Sequence, residues 1–200
     1  DALAGLLYVV RQNTTLRGVA LTLSTYNMAW GVLEIAVPVL VLTRLHQGAG
    51  TVGLLWGGLG AAGLVSALLS GRIRSQGRER SMMLGAILVG AAAMVALALA
   101  NNLYVVAIAL VVFGFSNGPF DIALFTLRQR VTDPAWFGRA FAVSMALNFV
   151  GTPVGSALAG PVIGWSLDGA LWLAVGIAAV SAALPLLAIP RSEAPTPSAR

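Results

Sequence analysis

Two carboxylates, Glu34 and Asp121, stand inside stretches otherwise apolar enough to cross a membrane. An ionisable group at that depth costs about 2.5–3.5 kcal/mol on insertion scales, so one that persists should face a protected interior. The chemistry open to it is carrying a proton or holding a cationic substrate. Around Asp121 the chain reads Gly114-Phe115-Ser116-Asn117-Gly118-Pro119-Phe120-Asp121. At helical spacing Gly114, Asn117, Gly118, Asp121, Phe125 and Arg128 share one face. Asn27, Trp30 and Gly31 share a face with Glu34. Glu34, Asp121, Asn27, Trp30, Asn117, Phe120 and Asn148 are therefore the candidate proton-coupling and substrate-cavity residues. The competing reading makes the carboxylates and amides interhelical hydrogen-bonding groups, with Tyr26, Trp30 and Phe120 as packing. Pro38, Pro119 and Pro153 each remove a backbone donor, so kinks are expected there; Pro119 crowds the carbonyl of Phe115.

Elements long enough to hold these residues follow from composition. Of 200 residues, 58% are hydrophobic and 10% charged, and the mean hydropathy is +0.88. A soluble domain carries about 25% charged residues, so a membrane protein is expected. Charge-free runs cover Leu45 to Gly71, Ser81 to Phe120, Ala140 to Leu167 and Gly169 to Pro190. A span needs roughly 20 apolar residues, so the second run holds two, with Asn101-Asn102 at the turn. Six spans result, near Gly18–Thr43, Thr51–Gly71, Ser81–Ala100, Leu103–Leu127, Gly138–Gly160 and Gly169–Ile189.

All the cations are arginines. Arg11 and Arg17 precede the first span, and Arg72, Arg74, Arg78 and Arg80 lie between the second and third. Arg128, Arg130 and Arg139 lie between the fourth and fifth, and Arg191 and Arg200 follow the sixth; only Arg44 lies on the opposite side. Both termini are therefore expected in the cytoplasm. Arg72, Arg74, Arg78, Arg80, Arg128, Arg130 and Arg139 are read as orientation anchors or as a cytoplasmic gate. Residues 1–17 read as a short cytoplasmic linker helix at the membrane surface, 18–190 as the six-helix bundle, and 191–200 as a disordered cytoplasmic tail. Residues 1–10 lack the flank and cleavage site of a signal peptide, and a chain beginning at Asp1 looks cut from a longer one.

The remaining residue types narrow the function. No cysteine is present and the single His46 has no partners at metal spacing, so no metal or cofactor is expected. The net charge of +5 sits in loops, so the partners are the bilayer, protons and a small molecule rather than nucleic acid. Gly114-Phe115-Ser116-Asn117-Gly118 matches the Gly-x-Ser-x-Gly nucleophile pattern, but it lies mid-span without a His base, so no enzyme is expected.

Polarity repeats in threes. The first and fourth spans carry Glu34 and Asp121. The second and fifth are rich in small residues, with Gly53-xxx-Gly57 and Gly151-xxx-Gly155 suited to close helix approach. The third and sixth hold little that is polar, as lipid-facing helices should. Two groups of three, the second inverted, resemble the internal repeat described for half of a major facilitator transporter. In such a fold Glu34 and Asp121 should lie about 15 Å apart along the membrane normal, one towards each side.

The stretch Gly114 to Phe120, with Ala123-Leu124-Phe125-Thr126-Leu127-Arg128-Gln129-Arg130 and Gly138-Arg139-Ala140-Phe141-Ala142-Val143, resembles the tenth and eleventh spans of one transporter group. That group is the major facilitator family of the enterobactin exporter and the macrolide efflux proteins. Gly5-Leu6-Leu7-Tyr8-Val9-Val10-Arg11 is similar to its central cytoplasmic helix. The resemblance implies the C-terminal half of a twelve-helix transporter of the bacterial inner membrane. It would export amphipathic drugs or siderophores against protons by alternating access. Its N-terminal half, or a second copy, would complete the cavity. The loop Ser70 to Arg80 resembles the superfamily's arginine-rich signature at Gly77, Arg78 and Arg80 but has no Asp, so no charge latch is expected there. The competing class is a non-transporting membrane module that pairs with a partner half.

Overall fold

The computed structural model describes residues 2–73 and 75–189. Arg74, Arg191, Arg200 and the expected tail 191–200 lie outside the described residues. The helices are α1 (Ala2–Leu7), α2 (Thr14–Val39), α3 (Ala49–Ser70), α4 (Glu79–Ala98), α5 (Leu103–Val131), α6 (Phe137–Phe149), α7 (Gly151–Trp165) and α8 (Leu167–Ala188). Wider π turns at Tyr8–Gln12 and Leu40–Arg44 extend α1 and α2, and a 3-10 turn at Pro134–Trp136 leads into α6. Six of the resulting segments are long and apolar enough to span: Thr14–Arg44, Ala49–Ser70, Glu79–Ala98, Leu103–Val131, Pro134–Trp165 and Leu167–Ala188.

Local chemistry sets the ends. The Asn13 side chain accepts from the Leu16 amide at 2.9 Å, capping α2, and its own amide donates to the Val131 carbonyl at 2.7 Å, tying that cap to the end of α5. Asn102 caps α5 through the Val105 amide, and Ser166 caps α8 through the Gly169 amide. Pro153 cannot donate to Phe149, and the fifth span breaks at Val150 into α6 and α7. Pro38 likewise leaves the Glu34 carbonyl without its helical donor, and the π turn begins two residues later. Pro119 acts differently: α5 continues through it, and the freed Phe115 carbonyl accepts from Ser66 Oγ on α3.

Packing exchanges partners between the two triplets. α2 packs chiefly on α7 and α8, α5 chiefly on α3 and α4, and α4 packs on α8. Swapping first with fourth, second with fifth and third with sixth span returns the same scheme. One core runs through the bundle, built on Leu33, Leu40, Met83, Ile87, Met94, Leu97, Leu110 and Leu171.

Burial within the chain is uneven: 44% of the apolar stretch of the third and of the sixth span is buried, against 17% and 22% for the second and fifth, which leave more surface for lipid or another polypeptide. An apolar helix is as well suited to an apolar core as to lipid, and only packing separates the two. The two glycine stripes also differ. A Cβ at Gly151 or Gly155 would collide with the backbone of Ser24 or Met28 on α2, so these glycines do permit close approach. Gly53 and Gly57 have nothing within 4 Å of that position.

The arginine-rich end joins the start of α2, the start of α4 and the ends of α5 and α8. Arg80 Nη2 donates to the Leu186 carbonyl at 2.7 Å, and Tyr8 stacks on Trp136 with ring centroids 5.1 Å apart. At the opposite end Arg44 pairs with Asp168 at 2.6 Å. There Tyr104 and Trp165 are exposed, placed as interfacial aromatics are.

Candidate functional site

Between α2, α5 and α6 lies an open cavity of about 430 Å³, lined in part by Asn27, Trp30, Asn117, Phe120, Asp121 and Asn148. Six of the seven cavity residues named from sequence thus surround one space. Glu34 does not line it. Its Oε1 accepts from Trp30 Nε1 at 2.8 Å, one turn along α2, so it touches the cavity only through that indole. No hydrogen bond joins the two carboxylates. Asp121 is exposed to the cavity, and among the described residues neither a hydrogen bond nor an ion pair reaches its carboxylate.

The walls are aromatic. Trp30 stacks on Phe113 at 4.8 Å, and Tyr26 lies 6.0 Å from Phe113 and 5.5 Å from Phe120. Trp56 meets Trp30 edge-on at 5.5 Å, fixing the indole from α3. The amides hold helices together as well as lining the space: Asn27 Nδ2 donates to the Asn148 carbonyl at 2.9 Å. The sequence-stretch face around Asp121 divides. Asn117 and Asp121 look into the cavity, whereas Gly114 and Gly118 abut Leu59 and Ser66 of α3. An aromatic box with one unpaired carboxylate and three amides suits an amphipathic molecule carrying few hydrogen-bonding groups.

The arginines separate into distinct roles. Arg72 and Arg78 are exposed. Arg139 lies over the Trp136 ring at 5.3 Å. Arg128 is not a surface anchor: it is 1% exposed, because α6 folds over it. The start of α4 makes a charge pair with the end of α5. Arg130 Nη2 lies 3.2 Å from Glu79 Oε2, and Glu79 is 1% exposed. Ser75 and Thr126 share a second bond across the same gap at 2.9 Å. Glu79 is legible in the sequence as the acidic residue beside Arg72, Arg74, Arg78 and Arg80, two positions past Gly77. Phe113, Met145 and Ser66 carried no sequence signal, since each is ordinary in a span.

A model of the Major Facilitator Superfamily matches residues 19–200. The chain belongs to the Major Facilitator Superfamily. It is 42% identical over 197 residues to an uncharacterized MFS-type transporter, y4rN, of Sinorhizobium fredii, covering 98% of this chain and 48% of that protein. The chain thus spans about half the length of the curated relative it matches. As a superfamily member with six helices long and apolar enough to span, it is a multi-pass membrane protein in contact with the bilayer.

Proposed function

We propose that the chain is the C-terminal half of a proton-coupled exporter of amphipathic small molecules, drugs or siderophores, in the bacterial inner membrane. The observation that carries this reading is the unpaired Asp121 carboxylate in an aromatic cavity between the first, fourth and fifth spans. A carboxylate with no fixed partner can exchange its proton as the cavity changes sides, and alternating access of two six-helix halves supplies that change. Glu34, tied to Trp30, relays the state of the cavity wall towards the far end of α2. Arg17, Arg72, Arg78, Arg80, Arg130 and Arg139 mark the cytoplasmic side, with Arg44 opposite, which supports both termini inside. Residues 1–17 act as the linker to the preceding half. The length of the relative and the unpartnered Gly53–Gly57 face of α3 both support an N-terminal half that packs there.

The test uses the full-length protein in inverted membrane vesicles, with uptake of norfloxacin, an amphipathic drug with a carboxylate at one end and an amine at the other, driven by an imposed pH gradient. Uptake that collapses with the gradient, and falls at least tenfold in Asp121→Asn at equal membrane level, supports the reading. Uptake indifferent to the gradient, or unchanged in both Asp121→Asn and Glu34→Gln, sinks proton coupling. A non-transporting module would show no uptake of any cargo.

A further inference from the structure

Beside the cavity, Arg128 carries a full charge into the interior of the bundle with almost nothing to receive it. Its side chain is enclosed, and among the described residues Nε and Nη2 have no hydrogen-bond partner. Nη1 donates only to the thioether of Met145, at 2.8 Å. The Phe141 ring, 5.9 Å from Cζ, supplies a weak cation–π contact. A guanidinium taken out of water without a counter-charge costs several kcal/mol, and a thioether is a poor acceptor. Asp121, the carboxylate on the same helix, is seven residues away, about 10 Å along the axis, and does not pair with it.

Other unsatisfied groups lie on the covering helix. Phe141, Ser144, Met145 and Asn148 fall on one face of α6 by helical spacing. Ser144 is 0% exposed and Asn148 3%, and among the described residues the buried Ser144 Oγ and Asn148 Oδ1 have no partner. Asn148 Nδ2 points at the same sulfur, 3.9 Å away. Met145 therefore occupies the place where two donors converge. It also lines the cavity, as Asn148 does. Methionine is unbranched and flexible, so its side chain can change rotamer without a helix moving.

We propose that Arg128, with Asn148 and Ser144, is an anchor for an anionic group, a carboxylate or phosphate, on the transported molecule, and that Met145 is the displaceable plug that fills it when no cargo is bound. The inference rests on the cavity being the substrate site. It narrows the substrate class to molecules with an anion at one end, an apolar ring system in the middle and a hydrogen-bond donor about 10 Å away for Asp121 and Asn117. Arg suits this role because its planar fork matches a carboxylate or phosphate in two parallel bonds.

The experiment places the full-length protein in nanodiscs of zwitterionic phosphatidylcholine, so that no anionic lipid competes. Binding of 2-naphthoate, neutral 2-naphthylmethanol and cationic 2-naphthylmethylammonium is measured by equilibrium dialysis. The anchor predicts a Kd for naphthoate at least tenfold below that of either analogue. In Arg128→Gln that preference should shrink to within twofold, and Arg128→Lys should keep part of it. If the three probes bind equally, or the cation binds best, the anchor is overturned while the cavity stands. If none binds, both readings fall. A naphthoate preference that persists in Arg128→Gln also overturns the anchor, and if that variant does not insert, the wild-type comparison and Arg128→Lys decide.

Discussion

The Ser66 hydroxyl on the second span donates to the Phe115 carbonyl on the fourth, the acceptor that Pro119 leaves without a helical donor. A proline inside a span is thereby turned into a tie between two helices. Gly118, one turn further along α5, lets the helices approach closely enough to make it, since a Cβ there would strike Ser66.

Removing the hydroxyl should cost about 1 kcal/mol, the usual net worth of one hydrogen bond. Ser66→Ala is expected to lower the unfolding free energy in a detergent titration by that amount in the native background. In a Pro119→Ala background residue 119 regains its amide and feeds the Phe115 carbonyl itself. The Ser66→Ala penalty should then nearly vanish, and an additive double-mutant cycle would show that the two residues are not coupled.

Glu79 and Arg130 pair across the arginine-rich end, and a latch there is testable. Glu79→Gln leaves Arg130 without the carboxylate 3.2 Å away. Removing one partner of a buried pair costs up to about 3 kcal/mol, and less here because the Arg130 side chain stays 38% exposed. The chain has no native cysteine, so Thr126→Cys reports opening directly. Maleimide labelling at that position should speed up several-fold in Glu79→Gln; an unchanged rate would remove the latch.

The glycine stripes should respond in opposite ways. Gly151→Ala and Gly155→Ala force Cβ atoms into the α2 backbone, and overpacking of this kind costs about 1–3 kcal/mol. Gly53→Ala and Gly57→Ala meet open space within this chain and should be neutral, or stabilising by up to about 1 kcal/mol through helix propensity. Thermal stability of the six-span chain in detergent separates the two sets.

The two carboxylates should part company in stability as well as in transport. Glu34→Gln keeps an acceptor for the Trp30 indole but weakens that bond, at a cost of about 1 kcal/mol. Asp121→Asn breaks no described bond and should change stability by less than about 0.5 kcal/mol. Unfolding measured beside efflux would show whether loss of transport in Asp121→Asn is chemical or structural.

How much of this was legible depends on which physical signal a residue carries. Span number and span ends followed from hydropathy and charge, because a bilayer imposes a length that composition reports. Asn27, Trp30, Asn117, Phe120, Asp121 and Asn148 were visible because polar and aromatic residues at helical spacing in an apolar run are costly to leave unused. Arg128 was visible as a charge and misread in place, since its position near a span end looks the same whether α6 covers it or not. Partner choice between helices was illegible. Gly53-xxx-Gly57 and Gly151-xxx-Gly155 are alike as strings, yet only the second meets a backbone, and that depends on where α2 lies.

The exchange of packing partners between the triplets has a consequence for biogenesis. Because α2 rests on α7 and α8, and α5 on α3 and α4, the first three spans leave the ribosome with their principal contacts not yet synthesised. They must wait in the bilayer, poorly packed and open to quality-control proteases, until the last helix emerges. A premature stop after the third span is expected to leave no stable fragment, since α2, α3 and α4 would lack their main packing partners. By the same geometry, an ancestral three-helix unit could have been stable only as a pair, so gene fusion would have joined subunits that already depended on one another.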